Sequence, residues 1–233
     1  MEFHELHVMV TGGTGALGRA VVAALIDAGA TCHIPYRSEA EVERFPFRDH
    51  KQANLYPNSD LGDERSVDQL FERLPSLWAS IHLAGAFAFG PHRELSETTL
   101  RRQIEANFIT CALCCRGALR VFARGGQGGR IVNVAARPGL EWRAGANMAV
   151  YAATKAAVAA LTVALAEEVA KEGVLVNAVA PSIMDTPTNR MDMPKADFSA
   201  WPKVDEVAQT ILFLASPGNK VTRGGIVPVY GKA

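Results

Sequence analysis

The sequence has no excess of charge of either sign: Lys and Arg number 24, Asp and Glu number 24. That balance excludes a generic surface for nucleic acid or anionic membrane, which needs a basic surplus. Aromatic residues are scarce, at 7% of the 233 positions, whereas 20 are glycine. Such a chain packs backbones closely, as when helices lie on a sheet. There are four cysteines, and Cys111, Cys114 and Cys115 crowd into one helical stretch, so they cannot staple distant loops. With no second ligand pair, they read as small buried apolar side chains, and no metal site is expected. No uninterrupted apolar run reaches the ~18 residues of a membrane span, and the acidic, polar start Met-Glu-Phe-His-Glu offers no leader pattern. These features predict a cytoplasmic protein with reduced thiols. Ser-rich linkers, repeats and low-complexity tracts are also lacking, so one domain spanning 1–233 is expected.

Short apolar runs and helical patterns alternate throughout. A β-rich run, Leu6–Val10, stops at Thr11-Gly12-Gly13. Apolar residues at helical spacing follow over Ala16–Ala28, and Thr31–Tyr36 reads as a second strand. Together these make a βαβ unit. A weak strand at Gln52–Leu55 precedes a helix over Ser66–Leu74, which Ser66 would cap. Strands are predicted at Ser80–Leu83, Arg130–Val134, Val174–Val179 and Gly225–Val229. Helices are predicted at Glu97–Arg124, Val150–Lys171 and Asp205–Ala215. This alternation predicts an α/β fold with a doubly wound parallel sheet, covered by helices on both faces.

Two segments carry chemistry. Thr11, Gly12, Gly15, Ala16, Leu17 and Gly18 span the junction of the first strand and first helix. Glycines there permit a tight turn and close approach of a pyrophosphate, which the helix N-terminus attracts. At the end of the second strand, where an NAD site usually holds an acid, the chain has Tyr36-Arg37-Ser38. Arg37 and Ser38 suit a 2′-phosphate, so NADP(H) is expected ahead of NAD(H). Tyr151 and Lys155, four apart, share one face of the Ala-rich helix. A lysine ammonium beside a phenol lowers its pKa and fits it for proton transfer.

In order along the chain come the glycine turn, Asp60-Leu61, Leu83-Ala84-Gly85, Asn107, Gly129–Val134, Tyr151 with Lys155, Val176–Pro181 and Thr186-Pro187. In these landmarks the chain resembles the short-chain dehydrogenase/reductase family along nearly its whole length. The resemblance implies a single Rossmann-type sheet of about seven strands in the order 3-2-1-4-5-6-7. It implies that Tyr151 is the general acid/base, that Lys155 holds the nicotinamide ribose and lowers the Tyr151 pKa, and that Asn107 binds a water linking Lys155 to solvent. Asp60 and Leu61 would contact adenine, and Ala84 and Gly85 the ribose. Thr186 and the Met184 backbone, after Pro181, would meet the carboxamide. The function implied is an NADP(H)-dependent oxidoreductase acting on a small carbonyl, alcohol or conjugated imine. Residues 186–201 would form a short substrate lid. A homotetramer or homodimer would pack through the helices after Asn107 and around Tyr151, with the Ala156, Ala159, Ala160, Val163 and Ala164 face allowing close approach.

One departure is chemical. Where the family has a Ser-Ser pair after Asn133-Val134, this chain has Ala135-Ala136, and no Ser or Thr lies between Val134 and Tyr151. A missing donor at a reacting oxygen costs ~3 kcal/mol of transition-state stabilisation. Trp142, Arg143 and Asn147 are candidate substitutes. The quinonoid dihydropteridine reductase branch resembles this chain in lacking that serine and in its Gly-Ala-Leu-Gly turn, but differs in ending the second strand with an acid. The loss also leaves open an alternative function: a catalytically weak or inactive dinucleotide-binding protein, a redox sensor or scaffold.

Overall fold

The computed structural model describes residues 2–232. Seven strands, β1 (His7–Thr11), β2 (Thr31–Pro35), β3 (Ala53–Tyr56), β4 (Ala79–His82), β5 (Gly129–Val134), β6 (Val174–Pro181) and β7 (Ile226–Val229), form one sheet. Their order is 3-2-1-4-5-6-7, and every pairing is parallel. The Rossmann-like doubly wound sheet expected from the sequence is therefore present. The strands read as apolar runs because both sheet faces are covered. In β1, Val8 and Val10 enter one core with Val21, Leu25, Ile211 and Leu214, from the helices α1 (Ala16–Asp27) and α9 (Val204–Ala215). Met9, pointing the other way, joins Phe71, Cys114, Phe122 and Val158, from the helices α3 (Glu64–Glu72), α5 (Thr110–Gly125) and α7 (Ala149–Glu168).

Several boundaries differ from the sequence reading. Asp63, not Ser66, caps α3: its carboxylate accepts from the Ser66 amide, so Ser66 lies one turn inside. The stretch predicted as one helix from Glu97 divides into α4 (Glu97–Ile104), a π-helical turn (Glu105–Ile109) and α5. Three short helices carry too few residues to show a period: α2 (Glu39–Glu43), α6 (Arg137–Leu140) and α8 (Pro187–Asp192). Two helical stretches, Glu97–Gly125 and Ala149–Glu168, prove long and apolar enough by composition to cross a membrane, and about half of each is buried inside the fold.

At the other end of the sheet, His7 Nδ1 and His33 Nε2 lie 2.8 Å apart, and His33 Nδ1 lies 2.8 Å from the Tyr56 hydroxyl. Burial, with His7 adding to it, pushes His33 down from 6.5 to about 4. A histidine with a depressed folded pKa contributes stability above its unfolded value, and that contribution is lost as pH falls from 6.5 through 4. The full loss is about 3 kcal/mol. Urea unfolding of wild type and His33→Asn at pH 7 and pH 5 checks this. Wild type should lose about 2 kcal/mol more than the variant over that interval, and equal losses would contradict it.

Candidate active site

The glycine turn is built by close approach. Gly12 has φ +66, and a Cβ there would lie 2.8 Å from the Ala84 amide nitrogen. A Cβ on Gly18 would collide with the Gly12 carbonyl and come within 2.6 Å of the Gly13 backbone, so only glycine lets α1 seat against the turn. Leu17 anchors α1 in the core. Gly15, the N-cap of α1, and Ala16 are exposed, leaving the helix N-terminus open to an anion. Thr11 is buried, and its hydroxyl accepts from the Ala84 amide at 3.3 Å. The turn is also held from outside, because the Thr14 hydroxyl donates to Glu41 of α2 at 2.9 Å. No sequence pattern marks that contact, because α2 spans only five residues.

Beyond β2, Arg37 is well exposed, and its guanidinium lies 3.9 Å from Asp60. This is a loose, solvated contact of little energetic weight. Ser38 is the N-cap residue of α2 but makes no side-chain cap bond. Asp60 also accepts from the Gly62 amide at 3.1 Å, while Leu61 is buried in the core. The fold thus gathers Arg37, Ser38 and Asp60 at one end of β2 and β3.

The segment after β4 is strapped down by Asn107. Its Oδ1 accepts from the Ala86 amide at 2.8 Å, and its Nδ2 donates to the Ala86 carbonyl at 2.9 Å and to Thr154 Oγ at 3.2 Å. The Asn107 side chain is thus engaged in positioning Ala86, at the end of the segment that carries Ala84 and Gly85. A Cβ on Gly85 would meet Asn107 Oδ1 at 2.7 Å and Lys155 Nζ at 3.6 Å. The π-helical turn carries Asn107, a placement often found at functional sites.

Tyr151 and Lys155 stand in the first two turns of α7. Lys155 is 6% exposed, and its ammonium donates to the Val134 carbonyl at 2.8 Å. Burial lowers it from 10.5 to about 8, with Cys111 opposing the shift. Burial pushes Tyr151 the other way, from 10.0 up to about 12. The expected lowering of Tyr151 by Lys155 is corrected here. The lysine nitrogen lies 5.9 Å from the ring centroid and is turned to Val134, so desolvation of the phenol prevails. At neutral pH this side chain is a protonated donor.

Ala135 and Ala136 follow β5, 1% and 5% exposed. None of the three suggested substitutes hydrogen-bonds there among the described residues. Trp142 gives its indole N–H to the Gly139 carbonyl at 3.2 Å and is otherwise exposed. Arg143 is exposed. Asn147, at φ +60, acts through its carbonyl, which accepts from the Gly90 amide at 2.8 Å. Aromatic bulk stands near the phenol instead. Phe87, 59% exposed, packs edge-on against the Tyr151 ring at 5.0 Å between centroids, and no sequence pattern marked it. A separate cavity of about 240 Å³ lies beside the start of α7, lined by Phe89, Gln103, Asn147 and Val150 but not by Tyr151. The buried Gln103 Oε1 has no hydrogen-bond partner among the described residues.

Pro181 closes β6, and Thr186, 7% exposed, caps α8 by accepting from the Asn189 amide at 3.2 Å. The Met184 carbonyl accepts from the Asn189 side chain at 2.8 Å. Residues 186–201 contain α8 and a short 3-10 turn at Phe198–Ala200, with Trp201 buried behind them.

A family model described as short chain dehydrogenase matches residues 6–197. The chain belongs to the short-chain dehydrogenase family. It is 33% identical to cis-4-hydroxycyclohexanecarboxylate dehydrogenase of Sinomonas cyclohexanicum, covering 98% of this chain and 96% of that one. It is 29% identical to sorbitol dehydrogenase of Cereibacter sphaeroides, over 86% and 79%. Among solved structures, a short chain dehydrogenase/reductase family protein superposes with TM-score 0.90 at 28% identity, covering 99% of this chain and 98% of that one. ElxO with NADP bound gives 0.87 at 25%, covering 97% of each. As a short-chain dehydrogenase the protein is an oxidoreductase built for a nicotinamide dinucleotide. Its own residues fit that group: the exposed Gly15 and Ala16 at the α1 N-terminus suit a pyrophosphate, and the side-chain-free face of Gly85 lies beside Lys155.

Proposed function

We propose that this short-chain dehydrogenase interconverts a small ring-bearing ketone and its secondary alcohol, using NADP(H). The dinucleotide, when bound, supplies or accepts the hydride at its nicotinamide ring. The turn at Gly12–Gly18 holds the pyrophosphate, and Gly85 and Lys155 hold the ribose that carries the nicotinamide. Thr186 and the Met184 backbone fix its carboxamide, and Asp60 and Leu61 border the adenine. Tyr151 delivers its phenolic proton to the substrate oxygen. The observation that carries the reading is the protonated Tyr151 beside a buried, charged lysine, with Phe87 packed edge-on against the phenol. An exposed phenyl ring there offers a flat apolar wall to a cyclic substrate. The relative named for oxidising a hydroxycyclohexane acid supports the ring-alcohol class. Nicotinamide absorbance in the presence of cyclic ketones and cyclic alcohols tests it; turnover of linear substrates alone would overturn it.

The absence of an acid at the end of β2 and the loosely held Arg37 support NADP(H) over NAD(H). Charge-assisted hydrogen bonds to a 2′-phosphate contribute roughly 1.5–3 kcal/mol, or about 10–150-fold. Calorimetric titration should find NADPH bound more tightly than NADH by that factor in wild type and nearly equally in Arg37→Ala. Equal binding in wild type would remove Arg37 from the role. We also propose self-association through the helices after Asn107 and Tyr151, α5 and α7, near the exposed Ile109 of the π-helical turn and Val163 of α7. Light scattering should then report a dimer or tetramer.

A further inference from the structure

Beneath the catalytic lysine lies a buried group that the proposed reaction does not use. His82 at the end of β4 and Cys111 and Cys115, one turn apart on α5, bring their ligand atoms within 4.8 Å of one another. They are 4%, 4% and 2% exposed. Asn133 of β5 completes the group. Its Oδ1 lies 3.3 Å from Cys111 Sγ, 3.5 Å from Cys115 Sγ and 2.8 Å from His82 Nδ1, and Cys115 Sγ is 3.6 Å from that same Nδ1. The spacing of Cys111, Cys114 and Cys115 alone does not say which two share a face with a further ligand. The fold instead aligns Cys111 with Cys115 and adds a histidine from 29 or more residues away, which no spacing rule detects.

We propose that His82, Cys111, Cys115 and the Asn133 carbonyl oxygen form a tetrahedral binding site for a thiophilic divalent cation of the zinc and cadmium class. A tetrahedral zinc ion with S, N and O ligands has ligand-to-ligand edges of about 3.4–3.8 Å. Three of the four measured edges fall at or within 0.1 Å of that range. The fourth, His82 to Asn133, is a hydrogen bond that lengthens once the nitrogen turns its lone pair to a metal. Charge also fits: two thiolates neutralise a divalent cation, so the filled site adds no net charge to the interior.

Proton balance can be followed atom by atom. Asn133 Nδ2 donates to Thr162, so its Oδ1 faces His82, and His82 carries its proton on Nδ1. On binding, two S–metal bonds form and two thiol protons leave to solvent. The His82 proton moves from Nδ1 to Nε2, where the Ser80 hydroxyl, 2.8 Å away, turns from donor to acceptor. Ser80 is thus a positioning residue that fixes the metal-bound tautomer. Asn133 precedes Val134, whose carbonyl holds Lys155, so the site abuts the catalytic lysine.

Cadmium titration of the reduced full chain tests this directly. Expected are one ion per chain, thiolate-to-cadmium charge-transfer absorption in the ultraviolet, and two protons released, read with a pH indicator. Cys111→Ser and His82→Asn should each weaken binding at least 10-fold, Ser80→Ala by 10–100-fold, and Cys32→Ser not at all. Circular dichroism verifies folding, and Cys111→Ser, nearly isosteric, carries the test if His82→Asn does not fold. No uptake by the folded wild type, or uptake insensitive to Cys111→Ser, would overturn the proposal.

Discussion

Tyr151→Phe should lower ketone reduction by about 10²–10⁴-fold, the range that a positioned general acid contributes. Binding of the nucleotide should change by no more than a few-fold. The substitution removes one oxygen and its proton, and keeps the ring that packs against Phe87. Single-turnover kinetics together with nucleotide titration separate the two effects. The pH dependence has a defined sign. With Tyr151 up at about 12, the phenol stays protonated through neutral pH, so reduction runs well there. Oxidation of the alcohol needs the phenolate and should rise with pH. Lys155, at about 8, loses its charge above that value, and a fall in nucleotide affinity on the alkaline side follows. Reduction in Tyr151→Phe within a few-fold of wild type would place the proton donor elsewhere.

Ala136→Ser should raise the rate of ketone reduction by roughly 5–100-fold, the equivalent of ~1–3 kcal/mol from one well-aimed donor. Ala136 is 5% exposed, extended at φ −162, and stands where β5 gives way to α6. The Trp142 indole is committed to Gly139, and the Asn147 side chain makes no hydrogen bond at this position among the described residues. Steady-state rates of the two proteins on one ketone check the gain. A substrate that is an activated imine develops no alkoxide, and the rate would then stay level or fall. A protein that only binds dinucleotide would show no turnover in either form.

The parts of the molecule legible in sequence are those where one physical rule acts over a short span. Val8 and Val10 against Met9 announce a strand buried on both faces, and the alternation of such runs with helical periods fixes a parallel sheet. The glycine turn is legible because Gly12 and Gly18 face backbone that no side chain could approach. The site is only half legible. Tyr151 and Lys155 share a helix, so spacing places them together. Their protonation does not follow from spacing, because it depends on how deeply β5 and α5 bury the pair. The partners of Asn107, Lys155 and Thr14 are Ala86, Val134 and Glu41, all distant in sequence, and two of the three contacts fall on main-chain atoms that carry no residue signature. His82 carries no motif in the sequence, and its meeting with Cys111 and Cys115 arises only when β4 lies against α5.

The most direct measurement is oxidation of NADPH by the wild-type protein, followed by nicotinamide absorbance across a panel of small cyclic ketones at pH 7, with nucleotide binding measured in parallel. A dehydrogenase in which a protonated Tyr151 serves a ring-bearing carbonyl should both bind NADPH and turn over at least one of these ketones well above background. Tight NADPH binding with no turnover on any of them would contradict that reading and leave a dinucleotide-binding protein without this catalysis.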